Sequence, residues 1–439
     1  MSKIRYWKIM AVFCLFFPIM LQAQSVDERI GHAMDNQLWF QLREIYQKEG
    51  ELLQTPFMRP LSDFFIAHFF NQPDSALHYG DYLLEHYQKE LGGSLQSLMY
   101  FMADDAARLG LFAHAADIMH ALNEALQTAG LPSNPIFEGF ERQYAALHAV
   151  GGFALEKPEK TLCIPFRYYS GKRNDPVMIF TTASLNGKNM DCNYDTGAGV
   201  NVMSHQVAEE LGLAFVDSAG ISVDGVNLQT SLFAIVDSVV WGEIVYRNVP
   251  FQVVDFSTGH EEADAKLEEM NFQCVLGSQL MMPLNEICFD FKNCEIIVPQ
   301  HPSAKPAYAP NMYRSASNMF IVSLYDERMK KDMYALWDTG AAYSGLSNGY
   351  YEKNKRLFAD IVPTDSLRYA GIGGVGYIKT AYVPLKYRIG EKEAVCDSVA
   401  IALQGDIQAS EYDMLFGLPT MTSFDRMTIN FQNMWVMME

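Results

Sequence analysis

The sequence is poor in basic residues, and this deficit limits what the protein can bind. Its 439 residues include 33 lysines and arginines against 52 aspartates and glutamates, a formal net charge of −19. Nucleic acids and anionic membrane surfaces attract basic patches, so a chain this acidic is expected to bind neither. Hydrophobic residues make up 49% of the chain and aromatic residues 13%, which predicts folded domains throughout and excludes a largely disordered protein.

Metal-binding and cofactor-binding patterns are also missing. The seven cysteines contain no Cys-x-x-Cys pair and match no zinc spacing, so no metal site is expected. The glycine-rich stretch Gly371–Gly376 lacks the strand–loop–helix setting of a dinucleotide loop, and no organic cofactor is implied. The cysteines after Cys14 can be free thiols or can form disulfides, and the sequence leaves both possibilities open.

The longest apolar run lies at the start of the chain, and no second long run follows it. Basic residues precede Ile9–Leu21, and Gln22-Ala23-Gln24 comes directly after. This order predicts a secretory signal peptide over residues 1–23, cleaved after Ala23. The run is short for a transmembrane helix, although an uncleaved anchor is the alternative. The junction resembles those of exported proteins of Gram-negative bacteria, which implies a periplasmic protein without membrane attachment after cleavage.

Helical spacing dominates residues 24–150, where turn residues are sparse. The clearest apolar stripe recurs every three or four residues: Leu111, Ala115, Ile118, Leu122 and Ala125. Small residues over positions 103–115 resemble a tetratricopeptide repeat (TPR), whose stacked helix pairs present a concave binding surface. An irregular helical bundle is the alternative. The resemblance implies a protein partner for this region, which we expect to act as an adaptor outside the catalytic centre.

One short motif occurs twice in the rest of the chain. Tyr194-Asp195-Thr196-Gly197-Ala198 returns as Trp337-Asp338-Thr339-Gly340-Ala341, each copy after an apolar run. Two unrelated turns are the alternative, since Asp and Gly favour turns. The residue types suit a carboxylate pair, because two carboxylates about 3 Å apart share one proton. One can then take a proton from water while the other protonates a carbonyl oxygen, and glycine lets backbone pass close behind the carboxylate.

Asp-Thr-Gly-Ala after an apolar strand resembles the active loop of retropepsin-like aspartic proteases. The resemblance implies an aspartic-type endopeptidase with Asp195 and Asp338 as catalytic residues. The residues that would support the two loops are Thr196, Gly197, Ala198, Thr339, Gly340 and Ala341. Retroviral members carry one motif and dimerise, whereas this chain carries both motifs. Whether the halves pair within one chain or between chains stays open at this point.

Further landmarks repeat at nearly the same spacing. Cys274-Val275-Leu276-Gly277 corresponds to Met414-Leu415-Phe416-Gly417, and Ile287–Asn293 corresponds to Met427–Asn433. In the family, an apolar pair and a glycine run beside the active loop, where two backbones approach closely. The predicted division is a signal peptide (1–23), a helical TPR-like domain (24–150), a first protease half (155–300), a proline-rich linker (301–312) and a second half (313–439).

Glycine-rich segments resemble the flap, the hairpin that closes over substrate in this family. The candidate flap and substrate-binding residues are Gly220, Ile221, Gly371, Ile372, Gly373 and Gly374; ordinary hairpins are the alternative. One departure from the retroviral pattern concerns the residues beyond the motif. Acidic residues that hold the substrate there are replaced by Gly199-Val200 and Ala342-Tyr343, so the substrate must be held differently. The insertion at Ser257–Met270 could shape or block the cleft.

These observations predict a multidomain α plus β fold. An all-α repeat or bundle comes first, followed by an all-β, pseudo-two-fold pair of acid-protease barrels. The expected activity is hydrolysis of a peptide or protein substrate by water activated between Asp195 and Asp338. Two alternatives remain: a catalytically weak or inactive peptide-binding module on the same fold, and a helical scaffold whose β-region is only structural.

Overall fold

The structure consists of a helical region followed by a β-rich region. The computed structural model describes residues 24–169, 171–174, 176–216, 222–224, 228–364, 366–405 and 412–439. Helices extend to Ala149, and strands begin at Ala154. The predicted order of α before β is therefore confirmed. The predicted signal peptide and the candidate flap residues Gly220 and Ile221 lie outside the described residues.

The helices of the first region pack as successive neighbours. They are α1 (Val26–Asp35), α2 (Trp39–Glu49), a 3-10 turn (Gly50–Leu52), α3 (Met58–Phe69), α4 (Pro73–His86), α5 (Gln88–Leu91), α6 (Ser94–Arg108), α7 (Phe112–Thr128) and α8 (Pro135–Ala149). α3 packs against α4, α6 against α7, and α7 against α8. A capping box begins α1, where Ser25 and Glu28 each bond the other's backbone N–H. Within the described residues, no helix combines the length and the apolar character needed to cross a membrane.

The apolar stripe predicted for α7 is correct in its middle and wrong at its ends. Ala115, Ile118 and Leu122 are buried. Leu111 precedes the helix and is 48% exposed, and Ala125 is exposed as well. The buried face instead continues at Leu126. The repeat of 3.6 residues per turn allows either continuation, and only the neighbouring helices decide between them.

The next part of the chain is mostly strands. Its elements are β1 (Ala154–Glu156), β2 (Leu162–Pro165), β3 (Arg167–Tyr168), β4 (Ile179–Leu185), β5 (Lys188–Tyr194), β6 (Val202–Ser204), α9 (His205–Glu210), β7 (Phe215–Val216), β8 (Ser222–Asp224), β9 (Leu228–Thr230), β10 (Leu232–Trp241), β11 (Ile244–Val254), α10 (Glu261–Glu269), β12 (Cys274–Leu276), α11 (Ser278–Met281), a 3-10 turn (Met282–Leu284), β13 (Glu286–Asp290) and β14 (Glu295–Val298). One large sheet has the order β1-β11-β6-β12-β5-β4-β10-β7, and β8 pairs with β9.

The last part of the chain builds a second large sheet. Its elements are β15 (Met312–Arg314), β16 (Phe320–Asp326), β17 (Lys331–Asp338), β18 (Gly345–Leu346), α12 (Asn348–Lys353), a 3-10 turn (Lys355–Phe358), β19 (Ser366–Gly371), β20 (Gly374–Ile389), β21 (Lys392–Gln404), β22 (Met414–Gly417), α13 (Leu418–Met421), β23 (Arg426–Asn430) and β24 (Trp435–Met438). The sheet order is β15-β16-β17-β22-β18-β21-β20-β19.

The two large sheets place their Asp-Thr-Gly motifs in the same local setting. β5 leads to the first motif and pairs in parallel with β12, with Tyr194 opposite Leu276. β17 leads to the second motif and pairs in parallel with β22, with Trp337 opposite Phe416. Each motif therefore follows a strand that pairs in parallel with the strand of the repeated apolar pair, as the landmarks predicted. Gly277 directly follows β12, and Gly417 is the last residue of β22.

A third sheet is shared between the two β-rich parts of the chain. Its order is β2-β14-β13-β23-β24, and β13 pairs antiparallel with β23 along Ile287 and Ile429. Strands from both sides of the proline-rich segment thus complete one sheet. The proline-rich segment is bonded to this sheet, since the Glu286 carboxylate accepts hydrogen bonds from the Ser303 backbone and hydroxyl.

The helical region packs directly on the β-region. The Arg43 guanidinium donates to the carbonyl of Pro310 at 2.7 Å, and the Asn71 amide donates to the carbonyl of Phe431 at 2.7 Å. The Phe40 ring lies 5.0 Å from the Tyr313 ring, between centroids. These contacts bury surface from both regions, so the helices form part of one packed body.

The described cysteines settle one question that the sequence left open. They are free thiols: Cys163, Cys192, Cys274, Cys288, Cys294 and Cys396. Cys192 and Cys274 lie in the buried part of the first large sheet.

Candidate active site

The fold brings the two Asp-Thr-Gly motifs together. The carboxyl groups of Asp195 and Asp338 lie within hydrogen-bonding reach of each other. Gly197 and Gly340 make this approach sterically feasible. A Cβ on Gly197 would lie 2.4 Å from Cγ of Asp338, and a Cβ on Gly340 would lie 2.3 Å from Oδ2 of Asp195. Each loop's glycine is therefore required by the carboxyl group of the other loop.

The two threonines lock the loops to each other. The Thr196 hydroxyl donates to the carbonyl of Trp337 at 2.9 Å, and the Thr339 hydroxyl donates to the carbonyl of Tyr194 at 2.9 Å. Each hydroxyl also accepts the other threonine's backbone N–H at 3.0 Å. Both side chains are fully buried. This closed set of bonds crosses between the loops and holds them at a fixed separation, since buried bonds are costly to break.

A second layer supports each loop from behind. A Cβ on Gly277 would lie 2.4 Å from the carbonyl oxygen of Val200, and a Cβ on Gly417 would lie 2.0 Å from that of Tyr343. The Gly277 N–H donates to the side-chain oxygen of Asn201, and the Gly417 N–H donates to the hydroxyl of Ser344, both at 2.9 Å.

Sequence reasoning missed Asn201 and Ser344. Each of them lies six residues after its aspartate. That equal offset was the available signal, and it was hidden because the two positions hold different residue types. An amide oxygen and a hydroxyl oxygen accept the same N–H hydrogen bond equally well.

Both carboxyl groups have raised pKa values, and burial is the main cause. Burial raises the pKa of Asp338 well above its usual range, and the nearby charge and hydrogen bond of Asp195 raise it further. Burial also raises the pKa of Asp195, but the backbone N–H groups of Gly197 and Gly340 oppose that rise. Gly197 donates to Oδ1 of Asp195 at 2.8 Å. The pair therefore holds one shared proton above the usual pH range of an aspartate, and we assign that proton to Asp338 and the ionised state to Asp195.

This assignment predicts a pH-dependent stability that Asp338→Asn removes. An unfolded aspartate has a pKa of about 3.9, so between about pH 4 and the raised pKa the folded state holds the extra proton. The stabilisation from protonated Asp338 is complete below about pH 4 and is lost as the pH rises through the folded pKa. We expect the unfolding free energy of Asp338→Asn, relative to wild type, to increase steadily with pH in urea titrations.

The matched control for this prediction is Asp360→Asn, at an exposed position away from the two loops. Its unfolding free energy should follow that of the wild type at every pH. Parallel curves for Asp338→Asn and wild type would show that Asp338 does not carry the proton.

A cavity of about 1270 Å³ opens above the two carboxyl groups. Ala198, Gly199 and Ala341 line it beside the aspartates, as does Ile372 at the turn of the β19–β20 hairpin. Gly373 follows in that turn with a φ of +82°, a conformation that favours glycine. The structure therefore brings Gly371–Gly374, the candidate flap of the second half, to the edge of the cavity.

The flap candidate is tied to the opposite side of the cavity. The Gly373 N–H donates to the carbonyl of Ser257 at 3.3 Å. The Arg368 guanidinium forms an ion pair with Glu262 at 2.8 Å and contacts Nδ1 of His260 at 3.2 Å. The insertion at Ser257–Met270, which is rich in Glu and Asp, thus contains α10 and the turn before it, and it closes one side of the cavity against the hairpin.

Helices α6, α7 and α8 form another wall of the same cavity. The side chains that line it include Tyr100, Phe112, Phe140, Tyr144 and Leu147. The helices therefore line the same cavity as the two carboxyl groups, a placement that the sequence did not predict. Contacts far apart in sequence decide this placement, and no local pattern reports them.

A buried charge cluster lies between the helices and the β-region. His68, Asp104 and Asp105 have potential ligand atoms within 4.8 Å of one another. Two guanidinium groups share the cluster, because Arg314 pairs with Asp104 at 2.7 Å and Arg108 pairs with Asp105. We interpret the cluster as an ion-pair network, since the arginines already neutralise the carboxylates that a metal would need.

Comparison with known proteins supports the interpretation of the first loop. Residues 181–280 match the family model for aspartyl proteases. The matched segment contains Asp195, Thr196, Gly197 and Gly277 and ends before the second motif. It supports an aspartic protease of the retropepsin-like kind, whose substrates are peptides or proteins. No curated protein matches the chain significantly.

Proposed function

We propose that this protein is an exported aspartic endopeptidase that uses Asp195 and Asp338 together. The close pair of carboxyl groups carries this proposal, because it lies on interlocked loops beneath a peptide-sized cavity. A carboxyl pair is costly to bury, so its presence without a chemical use is hard to explain. Export is proposed from the first 23 residues, and the family match lends support to the protease assignment.

The chemistry follows from the unequal proton affinities. Asp195, the ionised member, accepts a proton from a water molecule held between the two groups, while protonated Asp338 donates its proton to the carbonyl oxygen of the scissile peptide. Water oxygen bonds to the carbonyl carbon and gives a tetrahedral diol. The proton on Asp195 then passes to the amide nitrogen, the C–N bond breaks, and a diol proton returns to Asp338. The products are a carboxylic acid and an amine.

The two halves are proposed to be related by a pseudo-two-fold axis within one chain. The parallel pairs β5–β12 and β17–β22, the equal glycine positions and the reciprocal threonine bonds favour this relation. We retain 155–300 and 313–439 as the halves, with 301–312 joining them. We also retain residues 24–150 as a TPR-like region that can bind a protein partner. The β19–β20 hairpin is proposed to act as the flap.

A second candidate function is a peptide-binding module with little turnover. Gly373 and Arg368 bond the hairpin to the opposite wall of the cavity. These bonds favour the binding module because they restrict access to the carboxyl groups. Such a protein would bind peptides in the cavity without cleaving them.

One pH series distinguishes the two functions. We expect the purified protein to cleave members of a peptide library with a bell-shaped dependence of kcat/KM on pH. Activity is lost at low pH when Asp195 is protonated, and at high pH when Asp338 ionises. Because the pKa of Asp338 is raised well above its usual range, the alkaline limb should lie above the range of an ordinary aspartate.

The same series is run with and without a chelator, which should leave the rates unchanged because the proposed steps use only two carboxyl groups and water. Loss of cleavage on chelation would contradict the mechanism. Peptide binding without cleavage at every pH would favour the binding module.

A further inference from the structure

The cavity extends well beyond the two carboxyl groups. Its lining includes Asp195 and Asp338, Gly199 and Gln279, and side chains of the helical wall formed by α6, α7 and α8. An extended peptide gains about 3.3 Å per residue, so a chain bound at the carboxyl pair can run along this wall with residues remote from the scissile bond. The helical wall therefore lies where a substrate subsite would be.

The wall offers apolar and aromatic surface to the cavity. The Tyr100 and Phe140 rings lie 5.5 Å apart, and the Phe140 and Tyr144 rings lie 5.8 Å apart, between centroids. All three side chains line the cavity. Aromatic groups that form one continuous surface favour a large apolar side chain over a polar one.

The charged residues near this surface do not change that preference. Asp104 and Arg108 also line the cavity. Arg108 is paired with Asp105 and lies 3.4 Å from Asp104, and Asp104 is paired with Arg314. The charges therefore compensate one another, and the wall is suited to an uncharged ligand group.

One polar group on the wall lacks the partner that its burial calls for. Gln143 lines the cavity and is only 4% exposed. Its side-chain oxygen accepts a hydrogen bond from the Gln252 amide at 3.3 Å. Its Nε2 is buried and has no hydrogen-bond acceptor among the described residues. Buried donors are nearly always satisfied in folded proteins. Nε2 itself has almost no accessible surface, so we infer that the Gln143 amide turns toward the cavity that the residue lines when a ligand there supplies the acceptor.

We propose that Tyr100, Phe140, Gln143 and Tyr144 form a substrate subsite, named here the helical subsite. It binds an extended peptide segment several residues from the scissile bond, taking one large apolar side chain against the aromatic rings. Nε2 of Gln143 donates to a backbone carbonyl of that segment. The subsite rests on the proposed peptidase function, since it names part of that enzyme's substrate. The helical region thereby selects substrates inside the cleft.

The test compares peptides that can and cannot reach the helical subsite. Binding is measured by fluorescence anisotropy to the Asp195→Asn protein, so the readout does not need cleavage. One peptide has about four residues and the other about ten, a difference in extended reach of about 20 Å. Both share the same central sequence, and the longer one adds a large apolar residue. We expect the longer peptide to bind at least about 10-fold more tightly.

Two substitutions of Gln143 then isolate its donor. Gln143→Met removes the donor and the acceptor at similar volume, and Gln143→Glu keeps an acceptor for Gln252 while removing the donor. Both should weaken binding of the long peptide by about 10-fold and leave the short peptide within about 2-fold. The matched control is His148→Ala, on the same helix but exposed and outside the cavity. It should change neither affinity.

Each result decides the proposal. The proposal would be overturned if the two peptides bound the protein with unsubstituted Gln143 equally tightly. It would also be overturned if the Gln143 substitutions weakened the binding of both peptides equally. Wild-type affinity in Gln143→Glu would show that the donor is not used. If the length and Gln143 effects appear but the wild type cleaves nothing, the peptidase function fails while the subsite stands. Cleavage without a length effect would overturn the subsite and leave the peptidase function standing.

Discussion

Replacing either Asp195 or Asp338 by Asn lowers kcat/KM for peptide cleavage by at least about 10³-fold. Each substitution leaves one carboxyl group, and one group cannot both activate the water and protonate the carbonyl oxygen in the same step. The asparagine side chain has nearly the same shape, so the loops and their threonine bonds should persist. Rates are measured with a peptide taken from the library, and folding is checked by circular dichroism.

The matched control is Asp191→Asn. Asp191 lies on β5, four residues before Asp195, and pairs with Arg167 at 2.8 Å on the half-buried face of the sheet. Its substitution should leave kcat/KM within about 2-fold of wild type, because the residue is remote from the carboxyl pair. Near-full activity in Asp195→Asn or Asp338→Asn would contradict the paired mechanism.

Replacing Asp105 by Asn lowers the free energy of unfolding by about 3 kcal/mol. Asp105 is fully buried, with one carboxylate oxygen 2.9 Å from Nδ1 of His68 and the other paired with Arg108. Without the Asp105 charge, the largely buried Arg108 guanidinium lacks a full counter-charge. This costs more free energy of folding than a surface ion pair contributes. Urea unfolding of the full chain provides the measurement.

The Asp105→Asn substitution should also disturb the Asp-Thr-Gly loops. Arg314 joins the cluster from the β-region and also donates to Asn318. The loop before Asn318 packs against the first motif, since a Cβ on Gly199 would lie 1.7 Å from the carbonyl oxygen of Ser317. We therefore expect Asp105→Asn to reduce cleavage together with stability. Asp117→Asn, at an exposed position on α7, should change the unfolding free energy by less than about 0.5 kcal/mol. Equal stability of the two variants would contradict the role given to the cluster.

Local features account for what the sequence predicted correctly. A recurring Asp-Thr-Gly after an apolar strand, and a recurring glycine after an apolar pair, are short patterns with strict steric causes. Gly197 must accommodate a carboxyl group, and Gly277 must accommodate a backbone carbonyl. Such positions tolerate few residue types, so they remain readable in a single sequence. The order of helical and β-rich regions is readable for a similar reason, since periodicity is local.

Long-range contacts account for what the sequence did not predict. The third sheet pairs Ile287 with Ile429. The helical wall contacts the β-region through pairs such as Gln143 with Gln252. These pairs depend on how separate elements pack, and nothing in the local pattern of either partner specifies the other. The sequence therefore predicts an adaptor outside the catalytic centre and does not predict that helical side chains line the cavity.

The most direct test of the single-chain carboxyl pair is to mix the two inactive variants. Asp195→Asn and Asp338→Asn are combined in equal amounts, and new peptide termini are detected by mass spectrometry beside wild type and each variant alone. If both carboxyl groups must come from one chain, the mixture stays as inactive as its components while wild type cleaves. Recovery of cleavage in the mixture would place the pair between two chains, and cleavage by either variant alone at the wild-type rate would contradict the account altogether.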